Sequence, residues 1–268
     1  MTSEIEKKLI KLREILKNLK SVLIAYSGGV DSTFLLKVAE DTLEKKNVLA
    51  ITANSPIHPD EEIMSAKKMA KIFGAHHLII KTKELKNSFF VRNSPKRCYY
   101  CKKQLFAKLT EAAKKEHLSF ILDGTNSDDY QDFRPGTRAA KEFKIRTPLE
   151  EAKLTKNEIR SLSKRMNLPT WNKPSLTCLA TRFPYGMKIT EKNLDNVYQA
   201  EKFLKNFGIQ QVRVRHHNRI ARIEVLTEDM SKILKERKKI VSRFNVLGYY
   251  YVTVDLEGYR CGSMDEVL

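Results

Sequence analysis

The chain lacks the features that mark membrane, secreted and repeat proteins. None of its apolar runs approaches the roughly 20 residues needed to cross a bilayer. The first residues lack the continuous apolar core of a signal peptide and instead follow a helical pattern. No internal repeat and no low-complexity tract is present. These absences predict a globular, cytoplasmic protein with no membrane contact.

Acidic residues are scarce relative to basic ones. The 32 Asp and Glu residues face 50 Lys and Arg residues, which gives a net charge of +18. Such a charge attracts anions from a distance. Three interpretations stay open: a lysine-rich surface in contact with solvent, an anionic small substrate, or RNA. Residues 211–225 lack the dense alternation of aromatic and basic residues typical of RNA-binding surfaces, which makes nucleic acid the less favoured partner.

Cysteine is also rare, and the four cysteines are Cys98, Cys101, Cys178 and Cys261. In a chain without a secretion signal, disulfides are not expected, and metal, cluster or sulfur chemistry is favoured. Cys98 and Cys101 have C-x₂-C spacing beside basic residues, which favour the thiolate form. A second such pair is missing, which disfavours a four-cysteine zinc site. Cys178 could add a third thiolate and complete a [4Fe–4S] site with one open iron, whereas two inert cysteines on neighbouring helix turns are the alternative.

The most informative stretch is a glycine-rich loop between a predicted strand and a predicted helix. The loop is Ser27-Gly28-Gly29-Val30-Asp31-Ser32. Two glycines allow a tight turn and a close approach of the backbone to a ligand, and a helix N-terminus adds partial positive charge. Asp31 suits an anion site only if a divalent cation lies between its carboxylate and the phosphates. The sequence therefore predicts a metal-chelated polyphosphate ligand, with a capped Gly-Gly turn as the structural alternative.

Short apolar runs alternate with helical patterns over the first half of the chain. The predicted strands are 22–26, 48–53, 77–81 and 119–123, and the predicted helices between them lie near 32–45, 59–73 and 101–116. This alternation predicts an open, doubly wound parallel α/β sheet. The ligand should then lie beyond the carboxyl ends of the strands.

Two further loops follow predicted strands at that edge. Gly124 and Asn126, directly after the fourth strand, are candidates to contact a base or ribose, although an ordinary Asp/Asn-rich turn is the alternative. Ala53 and Ser55, after the second strand, are weaker candidates to line an adenine pocket.

The character of the chain changes after about residue 165. A proline-rich stretch contains the single tryptophan, Trp171, which is more typical of a packing anchor than of a stacking platform. A predicted helix near 190–206, a hairpin over 211–225, a helix near 229–245 and a strand near 249–255 follow. We therefore predict two domains, 1–170 and 171–268, the second a smaller α+β domain.

Several motifs resemble one family of ATP-pyrophosphatases, the LarE-type sulfur transferases, which insert sulfur during synthesis of a nickel-pincer nucleotide cofactor of lactate racemase. The quoted motifs are the glycine loop, Arg97-Cys98-Tyr99-Tyr100-Cys101-Lys102, Asp123-Gly124-Thr125-Asn126, Arg134-Pro135-Gly136, Lys173-Pro174-Ser175-Leu176-Thr177-Cys178-Leu179-Ala180-Thr181-Arg182-Phe183-Pro184-Tyr185-Gly186, Val212-Arg213-Val214-Arg215-His216, Gly258-Tyr259-Arg260 and Gly262-Ser263-Met264. The resemblance spans nearly the whole chain in one order. It implies a PP-loop fold similar to adenine nucleotide alpha hydrolases, and a homo-oligomer.

The resemblance also implies a reaction. ATP adenylates a carboxylate of pyridinium-3,5-dicarboxylate mononucleotide and releases pyrophosphate, and sulfur then displaces AMP to give a thiocarboxylate. The residue matching Cys178 is sacrificed as the sulfur donor in some members, whereas related tRNA thiolases hold sulfide on a three-cysteine [4Fe–4S] cluster. Cys98 and Cys101 beside Cys178 favour the cluster here. Cys261 matches no required thiol and is expected to be a bystander.

The implied roles follow the motifs. ATP is bound by Ser27, Gly28, Gly29, Val30, Asp31, Ser32, Ala53, Ser55, Gly124 and Asn126, with Asp31 also positioning Mg²⁺. Cys178, Asp31 and Arg182 are the expected catalytic residues. Arg213 and Arg215 face the same side of one strand and are candidates to bind the substrate phosphate, with an exposed basic strand face as the alternative. His216 and His217 with Glu224 could bind a metal, although a solvated pair at a hairpin tip is favoured.

Two rival functions use the same motifs. A tRNA thiolase would share the loop, the cluster and the charge, but no appended RNA-binding domain is recognisable. A nucleotide-binding sensor would bind ATP without cleaving it, and the placement of three cysteines disfavours it.

Overall fold

The computed structural model describes residues 3–130, 135–174 and 177–267. The helices in these ranges are α1 (Glu4–Leu19), α2 (Val30–Thr42), α3 (Asp60–Phe73), α4 (Ser88–Val91), α5 (Arg97–Lys115), α6 (Gly136–Glu142), α7 (Pro148–Glu151), α8 (Lys156–Arg165), α9 (Glu191–Lys205), α10 (Met230–Lys235) and α11 (Arg237–Val246). The strands are β1 (Val22–Ala25), β2 (Val48–Asn54), β3 (His76–Lys81), β4 (Phe120–Leu122), β5 (Val212–His217), β6 (Ile220–Val225) and β7 (Tyr251–Val254). Arg134, Ser175 and Leu176, which belong to two of the motifs, lie outside the described residues.

The described chain divides into two compact units. Unit 1 comprises Met1–Lys83 and Cys98–Ser175, and unit 2 comprises Glu84–Arg97 and Leu176–Leu268. Each unit has a β-sheet of its own, which is four-stranded in unit 1 and three-stranded in unit 2.

The sheet of unit 1 has the strand order β3-β2-β1-β4, and each neighbouring pair is parallel. The order reverses between β1 and β4, because the chain moves outward to β3 and then returns to the other side of β1. At such a reversal, the loops after the two strands diverge and leave a crevice at the carboxyl edge of the sheet. The α/β class and the parallel sheet predicted from the sequence are confirmed.

Both faces of the inner strands β1 and β2 are buried, whereas the edge strand β3 is largely exposed. Val22 and Ile24 pack into one core with helices α1 and α2, whereas Leu23 packs into a second core with helix α5. The apolar face of α1 packs into the first core, where Leu9, Leu12, Leu16 and Leu19 are buried. Each buried leucine contributes roughly 1.5–3 kcal/mol through loss of apolar surface from water.

The sheet of unit 2 combines the predicted hairpin with a later strand. Strands β5 and β6 are antiparallel, and Asn218 lies in their turn at φ +57°. Strand β7 pairs in parallel with β6, so the order is β5-β6-β7. The helix predicted near 229–245 is divided into α10 and α11, which meet at Glu236. The core lies between the sheet and the helices α9 and α11, with Leu204 and Phe244 fully buried.

Candidate active site

The glycine-rich loop leaves the end of β1 and enters α2 in a tight turn. The two serine hydroxyls, Oγ of Ser27 and Oγ of Ser32, lie 3.0 Å apart and draw the ends of the loop together. The backbone N–H of Gly29 donates to Ser27 Oγ at 3.3 Å. Because Gly29 precedes α2 and has no side chain, it adds no cap to the first N–H groups of the helix. These groups can receive an anion, as the sequence motif predicts.

Glycine is required at position 28 both by its backbone conformation and by the lack of room for a side chain. Its φ is +71°, and an added Cβ atom would lie 2.8 Å from Cβ and 2.9 Å from Cα of Ala66 in helix α3. The loop therefore packs directly against the backbone of α3.

Gly124 brings the loop after β4 onto the same helix N-terminus. A Cβ atom at Gly124 would lie 3.1 Å from the backbone nitrogen of Ser32 and 3.3 Å from its Cα. Two of the sequence-predicted loops thus meet at the reversal point of the sheet. Within unit 1 the close approach of these two loops leaves no room for a side chain at Gly28 or Gly124, and we call the backbone they form at the start of α2 the glycine cradle.

The other three candidates to contact the nucleoside differ in their hydrogen bonds. Ser55 is buried, and its Oγ has no hydrogen-bond partner among the described residues, so it can bind a ligand. Asn126 is buried too, but its Oδ1 accepts the backbone N–H of Asp128 at 2.9 Å and stabilises the turn. Ala53 lies at the carboxyl end of β2, opposite Ile80 of β3.

Asp31, the second residue of α2, forms an ion pair that the sequence analysis missed. Its Oδ2 accepts a hydrogen bond from Lys156 Nζ at the start of α8, and its Oδ1 is buried without a partner among the described residues. An orphaned, buried carboxylate oxygen beside a phosphate cradle fits the hard oxygen ligand that Mg²⁺ prefers. The residue pattern Thr155-x-x-Glu158 is a capping box and was the available signal that a helix begins at this position.

Lys173, which was quoted only as part of a motif, also contacts the glycine loop. Its Nζ donates to Glu62 Oε2 at 2.7 Å and to the carbonyl oxygen of Gly28 at 3.2 Å. The ammonium group thereby holds the loop backbone against helix α3, which carries Glu62. Two residues earlier, the indole ring of Trp171 packs against Lys164, whose Nζ lies 4.7 Å from the centre of the ring.

The C-x₂-C pair lies in the first turn of α5. Cys98 and Cys101 are half-buried and are three residues apart, so they share one face of the helix. Lys102, the next residue, donates to Asp123 Oδ2 at 2.6 Å, which ties this turn to the loop after β4. The burial of Asp123 opposes ionisation, but Lys102 and the hydrogen bonds from Thr125 outweigh it and lower the pKa of the carboxyl group.

A three-cysteine iron–sulfur cluster requires three thiol donors that lie close together. Cys98 and Cys101 are suitable thiol donors in unit 1, whereas Cys178 belongs to unit 2. All four cysteines are outside disulfides. In the ranges that the structure covers, no three His, Cys, Asp or Glu side chains are grouped to hold a metal ion. Within unit 1 the structure brings two of the three predicted thiol donors onto one helix face.

In unit 2, Arg182 organises the segment that carries Cys178. It is buried, and its Nε and Nη2 donate to the two carboxylate oxygens of Glu201 at 2.8 and 3.1 Å. Its Nη1 donates to the carbonyl oxygens of Thr177 and Cys178, each at 3.2 Å. This geometry is that of a positioning residue, because all three nitrogens are engaged by the protein.

Arg213 and Arg215 are buried, so the exposed strand face considered above is not observed. Arg215 donates to Glu224 Oε2 at 2.6 Å and to Ser263 Oγ at 2.9 Å. The Arg213 guanidinium lies 5.4 Å from the ring centre of Tyr259. Both aromatic and hydroxyl partners come from the C-terminal segment, which covers this face of the hairpin within unit 2.

The first histidine of the pair that was expected to be solvated lies in the core of unit 2. His216 is buried rather than solvated, and its Nδ1 lies 3.0 Å from the hydroxyl of Tyr249. Burial, with a smaller effect from the charge of His217, lowers the pKa of His216 to about 4. The neutral imidazole of His216 packs among aromatic rings as a core residue, and its ring centre lies 5.1 Å from that of Phe183.

Cys261 is exposed in the C-terminal turn.

No helix in the described part of the chain combines the length and apolarity needed to span a membrane.

The chain is similar in sequence to one family model and to several known proteins. The family model for NAD synthase matches residues 4–125. An uncharacterised protein of Synechocystis sp. is 42% identical over 266 residues, covering 98% of this chain and 99% of the relative. The pyridinium-3,5-bisthiocarboxylic acid mononucleotide synthase of Lactiplantibacillus plantarum is 38% identical over 253 residues, covering 94% of this chain and 92% of the relative. An uncharacterised protein of Methanocaldococcus jannaschii is 35% identical over 257 residues, covering 95% and 98%.

Proposed function

Because this chain belongs to the LarE-type family of ATP-dependent sulfur transferases, we propose that it converts carboxylates of pyridinium-3,5-dicarboxylate mononucleotide into thiocarboxylates for a nickel-pincer cofactor. The observation that carries this proposal is the glycine cradle at the reversal point of the sheet, where Gly28 and Gly124 exclude side chains. The similarity to the L. plantarum synthase over nearly the full length of both chains supports the substrate.

The first half-reaction is formation of an acyl adenylate. A substrate carboxylate oxygen attacks the α-phosphorus of ATP, the bond to the bridging oxygen breaks, and pyrophosphate leaves with the electron pair. The N–H groups at the start of α2 hold the departing phosphates and stabilise the charge that grows on them. Asp31 would hold Mg²⁺, which when bound neutralises charge on the pyrophosphate. Ser55 Oγ is available to the nucleoside.

The second half-reaction transfers sulfur. A sulfur nucleophile attacks the acyl carbon, and AMP leaves. If Cys178 is the nucleophile, its thiolate forms a thioester with the acyl carbon as AMP leaves. A base then takes the Cα proton of Cys178, the Cβ–S bond breaks, and the thiocarboxylate leaves with the electron pair, so that dehydroalanine remains. Arg182 donates to the carbonyl oxygens of the two peptide groups that flank Cys178 and so holds the backbone that carries the thiol. Cys98, Cys101 and Cys178 are the residues that would hold a [4Fe–4S] cluster, whose open iron would carry an added sulfide instead.

We assign adenylation to 1–170 and substrate binding to 171–268, with Arg213 and Arg215 as the candidate phosphate ligands. Guanidinium groups bind phosphate through paired hydrogen bonds. Glu224, Ser263 and the carbonyl oxygen of Thr181 pre-orient the Arg215 guanidinium, and an incoming phosphate would replace one of these partners. Homo-oligomer formation and a cytoplasmic location are proposed from the family resemblance and the composition.

The reaction is tested by incubating the anaerobically purified protein with Mg·ATP and the dicarboxylate mononucleotide. We expect AMP and pyrophosphate to form only when the acceptor is present, and the acceptor mass to increase by the exchange of one oxygen for one sulfur. Pyrophosphate release without acceptor dependence would contradict the proposal. Acceptor-dependent release with transfer RNA in place of the mononucleotide would favour the thiolase.

The sulfur source is tested by iron and acid-labile sulfide analysis of the wild type and of three variants, Cys98→Ser, Cys101→Ser and Cys178→Ser. Cys261→Ser is the matched control, since Cys261 is exposed and matches no motif cysteine. About four irons per chain, lost in each of the three variants and kept in the control, establish the cluster. Iron-free protein whose mass falls by one H₂S after turnover establishes Cys178 as the donor.

A further inference from the structure

The ion pair between Asp31 and Lys156 occupies the position at which the phosphate cradle needs a cation. Lys156 Nζ donates to Asp31 Oδ2, and the two side chains are 31% and 21% exposed, so the pair is partly withdrawn from water. The other oxygen, Oδ1, is buried and without a partner among the described residues. The carboxylate is therefore only half satisfied by the lysine.

The ammonium group and a divalent cation compete for this carboxylate. Both would lie within a few ångströms of each other, where two positive charges repel strongly in a partly desolvated site. A cation bound at Asp31 therefore weakens the contact with Lys156. Mg²⁺ is small and hard and prefers carboxylate and phosphate oxygens together, which the cradle provides once a polyphosphate is bound.

The backbone of Lys156 is fixed, so only its side chain can respond. Its backbone N–H donates to Asp128 Oδ2 at 2.8 Å, and Thr155 and Glu158 close a capping box around the same turn. The ammonium group, in contact with the second residue of α2, already lies beside the N-terminus that receives the anion. A rotation of the flexible lysine stem is enough to redirect it from Asp31 to phosphate oxygens.

We propose that Lys156 is an exchangeable cation. It neutralises Asp31 in the nucleotide-free enzyme and moves to the polyphosphate when a divalent cation binds to Asp31. This inference rests on the use of ATP in the proposed function. The second lysine at the loop, Lys173, has a different role, because its carboxylate partner is Glu62 in α3 and it contacts the carbonyl oxygen of Gly28.

The exchange predicts that Lys156→Met strengthens cation binding in the absence of nucleotide and slows pyrophosphate release in its presence. Without nucleotide, loss of the competing ammonium should tighten binding of Mn²⁺, measured by electron paramagnetic resonance, by about threefold or more. The variant Asp31→Asn identifies the signal, because it removes the carboxylate. With saturating Mg²⁺, loss of the phosphate contact should slow acceptor-dependent pyrophosphate release by about tenfold or more. Lys156→Arg keeps the charge and should keep Mn²⁺ affinity near that of the wild type.

The matched control is Lys153→Met, since Lys153 is an exposed lysine in the preceding turn. It should match the wild type in both measurements. Unchanged or weaker Mn²⁺ binding by Lys156→Met, in protein whose thermal unfolding shows a native fold, overturns the exchange. Unchanged pyrophosphate release by the same variant overturns the phosphate contact. A wild type that releases no pyrophosphate with any acceptor instead contradicts the proposed function, and the Mn²⁺ measurement still tests the competition at Asp31.

Discussion

Lys102 and Asp123 are joined by a 2.6 Å hydrogen bond between Nζ and Oδ2. Lys102 follows Cys101 directly, and Asp123 follows β4 directly, so this one contact holds the cysteine-bearing turn of α5 at the carboxyl edge of the sheet. The two thiols of unit 1 and the nucleotide cradle are thereby placed at the same edge.

The first prediction concerns this pair. Asp123→Asn should destabilise the protein at pH 7 by about 1–3 kcal/mol, because Lys102 loses its charged partner in a partly buried position. The folded-state pKa of Asp123 is lowered, so its contribution is present above the unfolded-state pKa of about 3.9 and is lost as pH falls through the folded-state value. The difference in the free energy of unfolding between wild type and variant, from urea titrations, should therefore be constant from about pH 7 to pH 5. A difference that shrinks within that interval contradicts the assignment.

The second prediction separates backbone strain from a steric clash at Gly28. Gly28→Ala and Gly208→Ala both place alanine at positive φ, which destabilises by roughly 1 kcal/mol. Only Gly28 has a backbone atom in the way, at 2.9 Å, whereas Gly208 has no neighbour within 4 Å. Gly28→Ala should lose roughly 1–3 kcal/mol more and should bind ATP weakly by calorimetry. Equal destabilisation of the two variants would show that the cradle tolerates a side chain.

The third prediction concerns Arg182. Arg182→Ala should lower the free energy of unfolding by about 3 kcal/mol, because the buried Glu201 loses the guanidinium that binds both of its oxygens and keeps the charge of Arg213 and the N–H of Val214. The charge-conserving Arg182→Lys should be milder but should release the carbonyl oxygens of Thr177 and Cys178. Alkylation of Cys178 by iodoacetamide, followed by mass spectrometry, should accelerate in Arg182→Lys and not in the exposed control Arg237→Ala. An unchanged alkylation rate would remove Arg182 from the positioning of the thiol.

The fourth prediction uses the depressed basicity of His216. Its folded-state pKa of about 4 lies below the ordinary 6.5, so the unfolded chain binds a proton at a higher pH than the folded chain does. Stability should then fall on acidification between these two values, by up to about 1.4 kcal/mol per pH unit. His216→Asn, which can keep a hydrogen bond with Tyr249, should flatten that slope. His117→Asn at an exposed position should leave the slope as in the wild type, and an identical slope in both variants would contradict the prediction.

The fifth prediction concerns the hydroxyl that bridges Arg215 and Glu224. Ser263 Oγ accepts from Arg215 and donates to Glu224 at 2.8 Å. Ser263→Ala should raise the KM for the mononucleotide by about tenfold or more, the loss expected for one hydrogen bond to a charged group. The affinity for ATP should be unchanged, because the cradle lies in unit 1. A rise in both constants would indicate a general loss of structure, and thermal unfolding would detect it.

Much of the first sheet was predictable because its signals are local. Three of the four predicted strands differ from β1, β2 and β3 by one residue at one end, and the fourth is one residue longer than β4 at each end, since short apolar runs bounded by turn residues have few other places to lie. The helix near 229–245 was predicted as one element and is two, because a helical pattern continues through Glu236 although the backbone there, at φ −92° and ψ 10°, leaves helical geometry. The burial of Arg213, Arg215 and His216 was not predictable from alternation, because the pattern does not say what covers each face of a strand.

The sequence by itself determined the nucleotide loop, the parallel sheet and the family, because these follow from local backbone requirements and a run of motifs in one order. The tertiary structure alone decided which side chains meet. Lys156 reaches Asp31 across 125 positions of the chain, and Ser263 reaches Arg215 across 48. A lysine or serine has no sequence signal for such a partner, since an ion pair or hydrogen bond depends on how distant elements pack. The same packing directs Arg182, a predicted catalytic residue, toward Glu201 and the carbonyl oxygen of Cys178.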